Sequence, residues 1–326
     1  MVPFSSQLGS PSPSADSQPP RSADSPPARR TQTVSFEVMP PQRPERVAGF
    51  WRTIDELRPA RPDFISVTYG AAGKDRFSAR DIVTRLCRDT PVSPIAHLTC
   101  VNTSVSTVEA VIEDYLDADV RTFLALRGDP PIDDPDWSGG VSSATELVAL
   151  IRSVETRRCA RHASAALRAA VNPLTIAVAA FPSGNPAAGT SPAQEVERLL
   201  LKQAAGANFA ITQLFWDPEV YISFVDDAKR AGVTIPILAG LLVPTDIGRL
   251  SRTAELTGID PPQALSQTLR DAEGAEAAVQ AGILATARVA RAVLDSGAPG
   301  LHLYTYNKAR PSLGLLARIG LFDPAA

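Results

Sequence analysis

The chain is poor in the residues that build metal centres and disulfide frameworks. Its 326 residues include three cysteines (Cys87, Cys100, Cys159) and three histidines (His97, His162, His302). Their scattered spacing matches neither a CxxC-type site nor a disulfide scaffold, so no metal is expected. An excess of one charge is also missing. With 32 basic against 35 acidic side chains the net charge is -3, which gives no reason to propose nucleic acid or an anionic membrane as partner. No apolar run reads as a bilayer span and no signal-peptide pattern is present, so a reduced, cytoplasmic setting is the expectation. The GxxxxGK[ST] phosphate loop and the GxSxG elbow are absent too, and nothing points to nucleophilic hydrolysis.

Large apolar residues nearly vanish from residues 9–30, and residues 1–30 hold seven prolines and eight serines. Such a segment buries too little surface to offset its ordering entropy and reads as a disordered tail. Residues 31–326 have the composition of one folded domain.

Within that domain short apolar strands alternate with amphipathic helices. The expected strands are Val34–Met39, Phe64–Gly70, Ser93–Cys100, Thr122–Gly128, Thr175–Phe181, Phe209–Phe215, Pro236–Leu242 and Gly300–Tyr306. Helix starts are marked by Ser106 with Glu109 and by Ser143 with Glu146, both capping-box patterns. Ser191-Pro192 and Asp217-Pro218 each place an N-cap before a proline at the first helical position. Alternation of this kind implies a parallel sheet with right-handed crossovers. Eight units suit an α/β (β/α)8 TIM barrel, for which about 250 residues is typical. A doubly wound open sheet is the runner-up, but its glycine-rich first turn is missing: the first strand runs into Met39-Pro40-Pro41.

Chemistry in such barrels gathers at the C-terminal strand ends. Read in order, these ends carry Glu37, Thr68 to Ala71, His97 with Thr99, Arg127-Gly128-Asp129, Phe181, Thr212-Gln213, Gly240, and Tyr304 to Lys308. Strand alternation puts Ser35, Glu37 and Met39 on one face of the first strand and Val34, Phe36 and Val38 on the other. The apolar face belongs against the helices, so Glu37 points into the barrel. A carboxyl group in a partly dry mouth suits general acid catalysis; a glutamate tied to a buried arginine or amide fits the position equally well. Arg127 and Asp129 read as a structural ion pair or as part of a site, and Gly128 as a place of close backbone approach. Gln213 offers a donor and an acceptor to a planar heterocycle, or else satisfies loop backbone. His97 taken alone reads as a core histidine.

Six of these segments together resemble the methylenetetrahydrofolate reductase family. They are Ser35-Phe-Glu-Val-Met-Pro-Pro41, Ser66-Val-Thr-Tyr-Gly-Ala71, His97-Leu-Thr99, Leu126-Arg-Gly-Asp-Pro-Pro131, Ala210-Ile-Thr-Gln213 and Tyr304-Thr-Tyr-Asn307. The resemblance runs from about Val34 to the end of the chain. It implies a flavin-containing barrel in which NADH or NADPH reduces FAD, and the flavin then passes hydride to 5,10-methylenetetrahydrofolate. By the same resemblance Glu37 is the general acid, Asp129 tunes flavin and pterin, and Gln213 and Lys308 contact the small-molecule folate. The positions matched to FAD are Tyr69, Ala71, His97, Arg127, Gly128, Asp129, Ala144, Phe181, Asn185, Glu195, Arg198 and Lys202. Thr68 matches a contact to the nicotinamide nucleotide. The family often forms oligomers, which makes a homo-oligomer an expectation with no legible interface.

The chain departs from the family pattern on one side. Phe181 stands where tyrosine is common, Asn185 for histidine, Arg198 for asparagine, Leu201 for a basic residue and Ser143 for an aromatic. Thr253 falls near a position where an aromatic is common. These changes cluster where the FAD diphosphate and adenosine are expected. They leave two alternatives: the same reaction with weak or no FAD and direct hydride transfer, or a non-catalytic flavin- or folate-binding relative.

Overall fold

The computed structural model describes residues 31–69, 76–128 and 140–324. The expected tail, Ala71 and Asp129 lie outside the described residues. The strands are β1 (Thr33–Val38), β2 (Phe64–Val67), β3 (Ser93–Thr99), β4 (Thr122–Leu126), β5 (Thr175–Ala180), β6 (Phe209–Thr212), β7 (Ile237–Leu242) and β8 (Gly300–Tyr304). They form a closed barrel in chain order, every pair parallel, and β8 closes onto β1 through Ser35 opposite His302 and Glu37 opposite Tyr304. This is the barrel expected from the alternation. Most strands stop one to three residues short of their expected C-terminal ends, because the terminal residues turn away from the ladder to form the mouth.

The helices are α1 (Val47–Leu57), α2 (Arg76–Asp89), α3 (Val105–Asp117), α4 (Ala144–Arg161), α5 (Ala163–Val171), α6 (Pro192–Ala204), α7 (Pro218–Ala231), α8 (Ile247–Thr257), α9 (Gln263–Arg270), α10 (Ala275–Asp295) and α11 (Ala309–Ile319). Ser143, Ser191 and Asp217 cap their helices as expected, and Ser191 forms a full capping box with Gln194. Ser106 does not cap α3. Ser104 does, accepting from the backbone N–H of Thr107, since the chain turns helical earlier than the apolar stripe suggests. Three helices among the described residues are additional to a one-helix-per-strand alternation: α5 after β4, and two of the three (α8, α9 and α10) between β7 and β8. The 21-residue α10 is long and apolar enough to cross a membrane by length and composition alone. Here it packs against β7, α9 and α11, with Ile283, Ala287, Ala290 and Val293 buried.

Alternation along the strands creates two separate cores. Val34, Phe36, Val38, Ile65, Val67, Phe123 and Leu303 face outward into the large cluster shared with the helices. Ile95, Leu124, Ala177, Phe209, Ile211 and Leu238 face inward and plug the barrel as a second cluster. Near the barrel's N-terminal end Phe64 stacks on Phe209, their centroids 5.8 Å apart. Above this plug the interior is two-faced. The wall from β8 through β3 bears Ser35, Glu37, Ser66, Thr68, His97 and His302, while the wall from β4 through β7 is mostly aliphatic. That asymmetry sets the chemistry of the mouth.

Candidate active site

A cavity of ≈ 320 Å³ opens at the C-terminal strand ends. Glu37, Thr68, His97, Phe181 and Gln213 all line it, as do His302, Tyr304 and Tyr306. The first five are residues singled out from the sequence, so side chains far apart along the chain converge on one chamber. Leu124, Leu126, Ala179, Ile211 and Leu214 supply the opposite, apolar side.

Glu37 points inward, as the β1 alternation requires, with 19% of its side chain exposed. Its Oε2 lies 3.7 Å from Nε2 of His97 and 3.9 Å from Nε2 of His302. Both imidazoles are buried, and neither Nε2 has a hydrogen-bond partner among the described residues. Burial holds the His97 pKa down at about 4, with His302 adding to the effect and Glu37 opposing it. His97 is thus neutral near pH 7, and its contact with Glu37 is not an ion pair. On the far side of His302, Nδ1 is 2.8 Å from Ser35 Oγ, and that hydroxyl donates to the carbonyl of Leu301 at 3.4 Å. The 2.8 Å contact orients the ring and leaves Nε2 facing Glu37.

The mouth is fastened across the β1–β8 seam. Asn307 donates from Nδ2 to the carbonyl of Met39 at 2.7 Å and accepts from the Met39 N–H at 2.8 Å. Thr305 donates from Oγ1 to the carbonyl of Glu37 at 2.6 Å. Tyr304 reaches across the barrel and donates to the carbonyl of Thr212 at 2.7 Å. Burial, then Glu37 and Tyr306, hold that phenol protonated well above its usual range. The crossing depends on Gly240, which lies beneath the ring. A Cβ there would sit 3.0 Å from both Cε2 and Oη of Tyr304 and would collide with the Thr212 carbonyl. Gln213 Oε1 accepts from the N–H of Leu214 at 2.9 Å, so its amide keeps Nε2 as the remaining donor.

The residues expected at the far end of the cofactor form a ledge on α6. Glu195 is fully buried and accepts from Thr190 Oγ1 at 2.5 Å and from Arg198 at 2.9 Å. Lys202 donates to the carbonyl of Ala179 at 2.8 Å, which ties the ledge to the cavity wall. Burial lowers the Lys202 pKa to about 8, Glu195 opposing the shift and Arg198 adding to it. Asn185 and Thr190 pair through their backbones and close the loop above. Ala144 is the first residue of α4, directly after its Ser143 cap.

The other residues singled out from the sequence sit off the chamber. Tyr69 packs on the outer core. Arg127 is exposed, its carbonyl accepting from the N–H groups of Cys100 and Val101. Gly128 has φ +88, and a Cβ there would lie 2.7 Å from Val101 Cγ1 and 3.2 Å from Thr99 Cβ. The close approach that its glycine permits is therefore made by side chains of β3 and the turn after it. Lys308 directly precedes α11 and lines a small recess beside the chamber with Arg249; desolvation, then Arg249, lower its pKa against an opposing Asp246. Ser35, His302 and Asn307 carry roles that the sequence did not assign to them. The period-two spacing of Ser35 with Glu37 and of His302 with Tyr304 was the available signal.

Residues 23–320 match the family model described as methylenetetrahydrofolate reductase. The chain is 31% identical over 297 residues to methylenetetrahydrofolate reductase 1 of Schizosaccharomyces pombe, covering 89% of this chain and 46% of that protein. It thus spans about half the length of that relative. It is 29% identical over 289 residues to 5,10-methylenetetrahydrofolate reductase of Escherichia coli, covering 88% of this chain and 90% of that one. A solved structure with 14% identity and TM-score 0.59 covers 90% of this chain and 94% of its own. It is a Clostridium thermocellum protein described as binding two copies of 5-methyl-5,6,7,8-tetrahydrofolic acid, and the likeness shows the shared fold.

Proposed function

The chain belongs to the methylenetetrahydrofolate reductase family, and on that premise we propose that it reduces 5,10-methylenetetrahydrofolate to 5-methyltetrahydrofolate, with hydride from NADH or NADPH relayed by FAD. The observation that carries the reading is the position of Glu37. Its carboxyl stands inside the chamber, between two buried imidazoles and opposite an apolar wall. Opening the closed five-membered ring of the substrate needs a proton at the departing nitrogen, and a carboxyl group held in that setting is suited to give it.

The chain's residues fit a flavin at the ring end. Leu124, Leu126, Ala179 and Phe181 offer an apolar side, and the buried, unpartnered His97 Nε2 offers a polar contact within the same chamber. When bound, FAD supplies the hydride relay between nicotinamide and folate. Arg198 and Lys202 would hold its diphosphate. Gln213 would donate from Nε2 to a pterin acceptor, and Thr68 lines the cavity where a nicotinamide ring would enter. His302 stands behind Glu37, its ring oriented by Ser35. Glu37 is the proton donor, with the two imidazoles packed beside its carboxyl.

One observation favours weak FAD retention as a second reading. Glu195 offsets one of the two ledge cations, and Lys202 already commits its ammonium to the Ala179 carbonyl. The diphosphate therefore meets little free positive charge.

The test separates the two halves of the reaction. Glu37→Gln should leave NADH oxidation by an artificial quinone near the wild-type rate, while methylenetetrahydrofolate reduction falls by roughly 10²–10⁴-fold, the range for a lost general acid. Equal loss in both assays would make Glu37 structural. The flavin absorbance per mole of purified protein decides between tight and weak FAD.

A further inference from the structure

Tyr306 has a backbone that tyrosine rarely adopts. Its φ is 47°, and Asn307 follows with φ 56°. A bulky residue in the left-handed region is strained, and it persists only where its surroundings over-determine it. They do so here. Asn307 clamps both backbone groups of Met39, and its own N–H donates to Thr305 Oγ1 at 3.1 Å. Thr53 on α1 donates to the Asn307 carbonyl at 3.2 Å. A turn pinned this firmly to β1 and α1 has no freedom to release the strain.

The strain directs the ring. Tyr306 is half-buried, lines the main chamber, and also borders the small recess that contains Arg249 and Lys308. Its hydroxyl lies 3.4 Å from Oγ1 of Thr253, a buried residue of α8 whose hydroxyl donates to the Arg249 carbonyl at 2.9 Å. With that proton committed, Tyr306 is the donor of the pair. Backbone and hydroxyl thus hold the ring from both ends. The small Thr253 leaves the chamber surface to it: Thr253 does not line the chamber and Tyr306 does.

We propose that Tyr306 is a preset aromatic wall that stacks on the planar heterocycle of whichever substrate occupies the chamber, the nicotinamide or the pterin. It is a positioning and specificity-determining residue, and the inference rests on the reading given under Proposed function. Two ligands that use one chamber in turn share little chemistry beyond a flat π-surface, and a fixed ring serves both. Because the ring is already placed, binding orders no additional side chain.

The experiment uses the full-length protein with Tyr306→Gly, Tyr306→Asn and Tyr306→Phe. Glycine and asparagine tolerate the left-handed backbone, so removing the ring need not unfold the turn. Dissociation constants are measured for NADH and for 5-methyltetrahydrofolate, together with KM and kcat. Both ring-less variants should bind each ligand about tenfold more weakly, equivalent to about 1.4 kcal/mol. KM should rise and kcat change less, while Tyr306→Phe stays within about twofold of wild type for both ligands. Ring-less variants that bind as wild type does would overturn the inference alone. A Tyr306→Phe loss equal to that of glycine would overturn it too, because the hydroxyl contact would then carry the effect. Wild-type protein that binds neither ligand would overturn the functional reading and this inference with it.

Discussion

Replacing Gly240 by alanine tests whether the crossing of Tyr304 depends on an absent side chain. Gly240 is not among the residues with positive φ, so its backbone would accept alanine. The obstacle is space. The added methyl would meet Tyr304 at 3.0 Å from two of its atoms and would collide with the Thr212 carbonyl. That carbonyl belongs to the barrel wall and is bonded to Tyr304, while Thr212 Oγ1 accepts from the Gly240 N–H at 2.8 Å. Backbone shift or expulsion of the ring must follow. Overpacking of this kind costs about 1–3 kcal/mol, and stranding the Tyr304 hydroxyl adds about 1–3 kcal/mol. At about 2 °C per kcal/mol for a domain of this size, the melting temperature should fall by roughly 4–12 °C. Gly232 is the control: it ends α7 with φ +100 and open space around its Cβ position. Alanine there meets only the left-handed penalty of about 1–2 kcal/mol. In a Tyr304→Phe background the Gly240→Ala change should cost about 1–3 kcal/mol less, because one hydrogen bond cannot be lost twice. Thermal melts of wild type, the single variants and the double variant provide the measurement. Gly240→Ala melting no lower than Gly232→Ala, or full additivity with Tyr304→Phe, would refute the argument.

Two further outcomes follow from the seam and from the buried imidazole. Asn307→Ala strands both backbone groups of Met39 and should destabilise the protein by about 2–4 kcal/mol; methylenetetrahydrofolate turnover should fall with it, as read by urea titration and steady-state kinetics. His97 has its folded pKa lowered to about 4 from 6.5. The unfolded chain therefore binds the extra proton first, so stability is retained above pH 6.5 and lost as pH falls toward 4, by about 3 kcal/mol in all. His97→Gln should flatten that part of the stability–pH curve, and an unchanged slope would show that His97 does not carry it.

Most of the barrel was legible in the sequence because its signals are local. The β1 alternation of Ser35 and Glu37 against Val34, Phe36 and Val38 needs only a period of two, and it named the inward face correctly. Ser143, Ser191 and Asp217 are caps because a short polar side chain before a helical stripe has few other uses. Ser106 misled for the same reason: Ser104 competes for the same amide ladder and lies closer to where the chain turns. What stayed hidden was long-range. Ser35 and His302 are 267 residues apart, and no local pattern says that they touch. Gly128 shows the limit from the other side. Glycine announces a close approach, but no local pattern names Val101 and Thr99 as the side chains packed against it.

The closing of the β1–β8 seam also sets when the site can exist. Glu37 is made among the first residues of the barrel, while His302, Tyr304 and Asn307 are made among the last. Contacts of such sequence separation form late, since the chain between them must already be ordered. During synthesis the nascent protein therefore carries its acid without the imidazole, ring and clamp that complete the chamber. The contacts that close the barrel are also the ones that complete the chamber, so a chain without β8 lacks His302 and Tyr304 from its lining.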